Sequence, residues 1–198
     1  MFDLAAPLVL ASGSPRRREL LSGAGLRFSV RPADIDETPL AGEAPGNYVR
    51  RLSIEKAAAS ISSPLASPAE IVLAADTTVD VKGEILEKPL DANDAYRMLR
   101  MLSGRTHLVH TGVTVSVPIT GARRSSTIVV ATEVTFGDLE DAAIDWYLET
   151  GEAMDKAGAY GIQGAAGAFV EKINGSVTNV IGLPLAETLT LLRDATSA

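Results

Sequence analysis

The sequence contains no cysteine, so it has no disulfide, thiolate nucleophile or thiolate metal site. Histidine is nearly absent too: His107 and His110 are the only two, too few for a histidine-based zinc site. Their spacing in an alternating segment points them to opposite faces of a strand, and no GxSxG motif occurs, so serine hydrolysis has little support. No P-loop motif is present, and the series Gly158, Gly161, Gly164 and Gly167 is too irregular for a dinucleotide fingerprint. No apolar run approaches the roughly 18 residues of a membrane helix. No basic segment precedes the first apolar stretch after Met1-Phe2-Asp3, so the chain reads as soluble and cytoplasmic, with no membrane partner. A surplus of cations is missing as well. The formal net charge of −7 argues against a broad nucleic-acid-binding surface, while leaving room for a small anion in a local basic pocket.

What is present fits an ordinary globular chain: 198 residues, 46% hydrophobic and 22% charged, without repeats, linkers or low-complexity tracts. The length suits one domain over 1–198, either a single body or two small lobes. Leu8 to Ala11 reads as a buried strand, followed by a helix with Ser14 as cap and Pro15 at its first position. Phe28 to Arg31 reads as a second strand, and Pro45 to Ser62 as a helix with Val49, Leu52, Lys56 and Ala59 on one stripe. Ile71 to Ala75 has the apolar run of a central strand and is expected to end at Asp76. Residues 79–86 suggest a hairpin about Lys82-Gly83, and a helix follows over 92–102. Two alternating segments, 107–117 and 127–136, pair across a turn near Gly121, and a helix runs from Asp138 or Asp141 to Glu149. A glycine-rich stretch then leads to a strand over 168–173 and a final helix over 184–192. Strands and helices mix without strict alternation, which predicts a mixed α/β sheet.

Several residues sit where stability alone would not put them. Arg16, Arg17 and Arg18 crowd the first turn of a helix, where each exposed cation costs about 0.3–1 kcal/mol. An anion at that helix start would reverse the sign, although at about 100° per residue the three cannot all face one ligand. The alternative is a solvated basic turn. Lys56 lies within an apolar stripe, so it either snorkels to water or points into a polar cavity. Asp76, at the expected end of the most apolar strand, could hold a cation, accept a proton from water, or simply form a turn. Asp34, Asp36 and Glu37 make the densest acidic run, read as part of an oxygen-rich Mg²⁺ or Mn²⁺ site or as a solvated loop. Lys88 is held extended by Pro89. Tyr160 and Gln163, among the glycines, could cover and read a base, or belong to a plain connection.

The blocks Leu10-Ala11-Ser12-Gly13-Ser14-Pro15-Arg16-Arg17, Ala75-Asp76-Thr77, Leu86-Glu87-Lys88-Pro89 and Asp155-Lys156-Ala157-Gly158-Ala159-Tyr160-Gly161-Ile162-Gln163-Gly164 closely resemble the Maf family. Ile173-Asn174-Gly175-Ser176 and Gly182-Leu183-Pro184 do so too, and the blocks keep family order over nearly the whole chain. The resemblance implies a nucleoside triphosphate pyrophosphatase with an inosine-triphosphatase-like fold: two α/β lobes around a central cleft, often as a homodimer. It implies Asp76 as general base, and Ser12, Arg17, Glu37, Lys56 and Lys88 as residues lining the cleft. A divalent Mg or Mn ion held by Asp76 and Glu37 would assist. Arg16, Thr77 and Gln163 match the branch acting on dTTP and UTP rather than the one acting on N7-methylated GTP. Val177 departs from the pattern, since many members carry an aromatic after Asn-Gly-Ser. The family has also been tied to septum formation and division arrest, so a nucleotide-binding regulator is a second reading.

Overall fold

The computed structural model describes residues 4–196. In chain order the elements are β1 (Leu8–Leu10), α1 (Pro15–Gly23), β2 (Phe28–Val30), α2 (Pro45–Ile61), β3 (Ile71–Val81), β4 (Glu84–Leu86) and α3 (Ala92–Leu102). There follow β5 (Thr106–Ile119), β6 (Ala122–Phe136), α4 (Asp141–Glu149), two short 3₁₀ turns over 157–159 and 165–169, β7 (Val170–Asn174), α5 (Val177–Ile181) and α6 (Leu185–Thr196). Local chemistry accounts for many boundaries. The Ser14 hydroxyl accepts the Arg17 backbone N–H with Pro15 just inside α1, and the Asp91 carboxylate accepts the Asp94 N–H at the start of α3. Ala95, Met98, Leu99 and Leu102 give α3 its buried stripe at helical spacing.

The strands form one seven-stranded mixed sheet in the order β2-β1-β3-β5-β6-β7, with β4 also paired to β3. β1 runs parallel to both neighbours; the remaining pairs are antiparallel. Three results differ from the sequence expectation. β3 does not stop at Asp76 but continues to Val81, because its second half gains partners in β4 and β5. A short helix, α5, follows the Ser176 cap where no helix is expected, and Ala168 and Phe169 belong to a 3₁₀ turn ahead of β7. Five residues are too few for periodicity to reveal a helix.

Side chains on one face of the long strands form two apolar clusters. Leu73, Ala75, Val113 and Val115 pack with α1 and α6 at one end; Val79, Val81, Val109 and Phe136 pack with α3 and α4 at the other. These are the cores of two lobes that share β3 and β5. Between them lies a polar layer: Thr77 of β3 sits 2.9 Å from Thr111 of β5, and Thr111 donates to the Asn179 carbonyl of α5. On the opposite face α2 covers the sheet, with Ala57 against Val72 and Ala74, and Tyr48, Val49 and Leu52 in a further cluster.

Candidate active site

The site begins with a break in strand pairing. β1 accompanies β3 only as far as Leu73, with the Ala11 N–H donating to the Leu73 carbonyl, and β4 joins the same strand again at Val79. From 74 to 78 that edge of β3 has no partner strand. A cavity of about 590 Å³ opens there, and because it wraps an edge it collects side chains from both sheet faces. This removes the difficulty that Asp76 and Thr77, as neighbours in a strand, point in opposite directions. Asp76 is thus in mid-strand, yet at the place where its parallel neighbour ends.

Of the residues singled out above, Ser12, Arg16, Arg17, Glu37, Lys56, Asp76, Thr77, Lys88 and Gln163 line this one cavity, whereas Asp34 and Asp36 of the acidic run do not. Their settings differ. Lys56 does not snorkel. It is 7% exposed and reaches from α2 to Asp76 Oδ1 at 2.5 Å and Glu37 Oε1 at 2.8 Å. Gly112, paired opposite Asp76 in β5, makes this geometry attainable: a Cβ there would lie 2.2 Å from the Val49 carbonyl oxygen, so only glycine lets α2 sit this close to the sheet. Asp76 is 6% exposed, with one oxygen held by Lys56.

Arg17 is buried and clamped. Its Nε donates to the Gly182 carbonyl at 2.8 Å, one terminal nitrogen to Ser12 Oγ at 2.9 Å and the other to Thr77 Oγ1 at 3.0 Å. Burial lowers its pKa against the opposing pull of Asp76, but a guanidinium stays charged in proteins. Each terminal nitrogen keeps a second N–H for an anion. Arg16 bonds Asp155 at 3.2 Å across the mouth of the cavity, and Arg18 lies exposed outside it, so the three arginines do divide. Lys88 and Gln163 are exposed, and neither has a hydrogen bond or ion pair with a described residue. Of the acidic run, Glu37 enters the cavity while Asp36 accepts the Thr38 N–H.

Two residues that the sequence reasoning did not assign complete the wall. The Tyr48 hydroxyl lies 2.9 Å from both the Glu37 carbonyl and a Glu87 carboxylate oxygen, tying the acidic loop to the segment after β4. Burial and Glu87 raise the Tyr48 pKa far above an ordinary phenol, so it stays a donor. Tyr48 lies on the buried stripe of α2 and was readable only as core. Glu87 sits within the Leu86-Glu87-Lys88-Pro89 block, its one signal. The Glu87 carbonyl in turn accepts the Gly158 N–H at 3.1 Å. Gly158 has φ +67°, and a Cβ there would meet Val79 at 2.8 Å, so the glycine-rich loop can dock on β3. Behind it Tyr160 lies 2.8 Å from His107 Nε2, whose pKa burial pulls down to about 4 against the Arg105 backbone and Asp80.

Among the described residues no group of three or more His, Cys, Asp or Glu side chains is arranged to hold a metal. Asp76 and Glu37 nevertheless fit a hard cation: both are oxygen donors and both already reach a single ammonium. Mg²⁺ commonly takes only one or two carboxylates and completes its shell with phosphate oxygens and water. No helix among the described residues is long and apolar enough to cross a membrane.

The sequence matches the family described as Maf-like protein over residues 7–195. A dTTP/UTP pyrophosphatase of Anaeromyxobacter dehalogenans (strain 2CP-C) is 58% identical over 192 residues, which are 97% of this chain and 95% of that protein. One from Myxococcus xanthus (strain DK1622) is 53% identical, covering 95% of this chain and 92% of its own length. One from Hahella chejuensis (strain KCTC 2396) is 49% identical, with 94% and 91% covered.

Proposed function

Because this chain belongs to the Maf family, we propose that it hydrolyses dTTP and UTP, and related modified pyrimidine triphosphates, to the monophosphate and pyrophosphate. The observation that carries this reading is the convergence of a buried, lysine-held aspartate and several cationic side chains on one cavity large enough for a nucleotide. Names carried by relatives of up to 58% identity supply the reaction and the bases.

In this reading Lys56 fixes one Asp76 oxygen, leaving the other to orient a water molecule and take its proton. The water oxygen forms a bond to the α-phosphorus as the bridge to the β-phosphorus breaks, and pyrophosphate departs. Arg17, with two N–H groups to spare, and Lys88, without a partner among the described residues, bind the phosphate chain and offset the charge on the leaving group. Ser12 and Thr77 keep the Arg17 fork in one orientation. Asp76 and Glu37 would hold a Mg or Mn ion together with phosphate oxygens. When bound, that ion supplies charge neutralisation at the phosphoryl group. Arg16, Thr77 and Gln163 would read the pyrimidine, whose edge in uracil or thymine offers one donor and two acceptors, with the Thr77 hydroxyl also braced by Arg17.

A panel of nucleoside triphosphates with Mg²⁺ or Mn²⁺ tests the reading, and dTTP and UTP should yield pyrophosphate rather than phosphate. Preference for N7-methyl-GTP, or binding without any product, would replace it with the sibling activity or a regulatory role. Asp76→Asn should remain folded by circular dichroism and lose at least about a hundredfold in kcat, the usual scale of a missing general base.

A further inference from the structure

A string of polar contacts starts at the mouth of the cavity, where Arg16, Asp155 and Lys156 line it, and leads away from the reacting end. Arg16 Nη1, from α1, bonds Asp155 Oδ2 at 3.2 Å. The other Asp155 oxygen receives Lys156 Nζ at 2.5 Å, and the same ammonium donates to the Glu152 carbonyl at 2.5 Å. The Glu152 carboxylate then accepts the Ala165 N–H, with its oxygens at 3.1 and 3.3 Å. Ala165 lies two residues beyond Gln163, whose side chain faces the cavity without a described partner. Arg16 of α1 is thus tied through Asp155, Lys156 and Glu152 to the backbone of Ala165, two residues from Gln163.

Stability does not account for such a chain. The Arg16–Asp155 pair is 28% and 64% exposed, and pairs of that kind contribute about 0–1 kcal/mol. Its effect is geometric. Held by Asp155, the Arg16 guanidinium presents N–H donors from a fixed place in the cavity that Gln163 also lines. Uracil offers two carbonyl acceptors flanking an N3–H donor and would be matched. Cytosine places an amino group where uracil has O4, so donor would face donor. That penalty lasts only while the guanidinium cannot swing away.

We infer that Asp155, with Lys156 and Glu152 behind it, is a positioning residue for base selection: it fixes Arg16 relative to Gln163 and so enforces uracil over cytosine. The inference rests on the pyrimidine triphosphate pyrophosphatase reading above. Removing the Asp155 charge also makes the cleft more positive, which favours every triphosphate alike. Only the ratio between two bases isolates the positioning effect.

The test compares wild type with Asp155→Asn on UTP and CTP, measuring kcat and KM for each. In the variant the UTP-to-CTP ratio of kcat/KM should fall about tenfold, the scale of one charge-assisted hydrogen bond, mostly through a higher KM for UTP. The site is exposed, so the melting temperature should stay within about 2 °C of wild type. An unchanged ratio, or equal losses on both substrates, would overturn the positioning role and leave the pyrophosphatase reading standing. A wild type inactive on both UTP and dTTP would overturn that reading and this inference together.

Discussion

Lysine ordinarily keeps its ammonium in water, yet Lys56 is 7% exposed and spends its charge on Asp76 and Glu37. Removing one member of a buried pair strands the other, commonly at about 3–5 kcal/mol. Lys56→Met should therefore lower stability to urea by about 3 kcal/mol and stop turnover. Lys56→Met combined with Asp76→Asn should recover part of that stability, because no lone buried charge is left; a fully additive loss would contradict the pairing. At this scale the sequence was informative but undecided. An apolar stripe interrupted by lysine marked Lys56 as costly, and a basic helix start marked Arg16 and Arg17. Neither pattern said what the side chains touch. Tyr48 shows the reverse limit, since a tyrosine at a core position of α2 carries no sign that its hydroxyl braces an acidic loop.

Elements explain how the residues meet. α2 carries Lys56 to the sheet only because β5 has Gly112 beneath it, 2.2 Å from backbone if a Cβ were present. Gly112→Ala should push α2 outward, destabilise by about 1–3 kcal/mol as overpacking does, and lower kcat by moving Lys56 away from Asp76. Denaturation curves and steady-state rates check the two effects. A second tie holds the glycine-rich loop to β5 through Tyr160 and His107. Burial depresses the folded-state pKa of His107 from 6.5 to about 4, so the folded protein binds fewer protons than the unfolded chain between those values. The resulting stability is fully present above about pH 6.5 and is lost as pH falls towards about 4, on the order of 3 kcal/mol in all. His107→Gln should lose less stability than wild type between pH 7 and pH 4.5 when urea midpoints are compared. Most strands and helices were legible from periodicity and caps. The length of β3 was not, because its second half is held by pairing to β5, remote in sequence, and to the hairpin strand β4 rather than by its own apolar run.

At the scale of the molecule, two apolar cores on one face of shared strands are separated by the Thr77–Thr111–Asn179 layer, with smaller clusters under α2 on the other face and an opening at the unpaired edge of β3. Triphosphate would bind at that opening, where Asp76 and Glu37 supply too few ligands for a metal alone. Chelation with EDTA should therefore abolish turnover and leave the melting temperature of the free protein unchanged. Added Mg²⁺ together with a non-hydrolysable UTP analogue should raise that temperature as the ligand concentration exceeds its Kd. A large drop in melting temperature on chelation alone would point to a structural metal instead.

Composition, caps, apolar runs and the order of the family blocks were enough to establish a mixed α/β chain and its family, and to mark the candidate residues that line one cavity. Those properties are local, carried by a few neighbouring positions at a time. Convergence is not local: Ser12, Glu37, Lys56, Asp76, Lys88 and Gln163 come from six separate segments, and which of them meet depends on strand pairing across long stretches of chain. Only the tertiary structure decided that β1 ends where β4 has yet to begin, and that gap is what brings both faces of one strand into a single cavity.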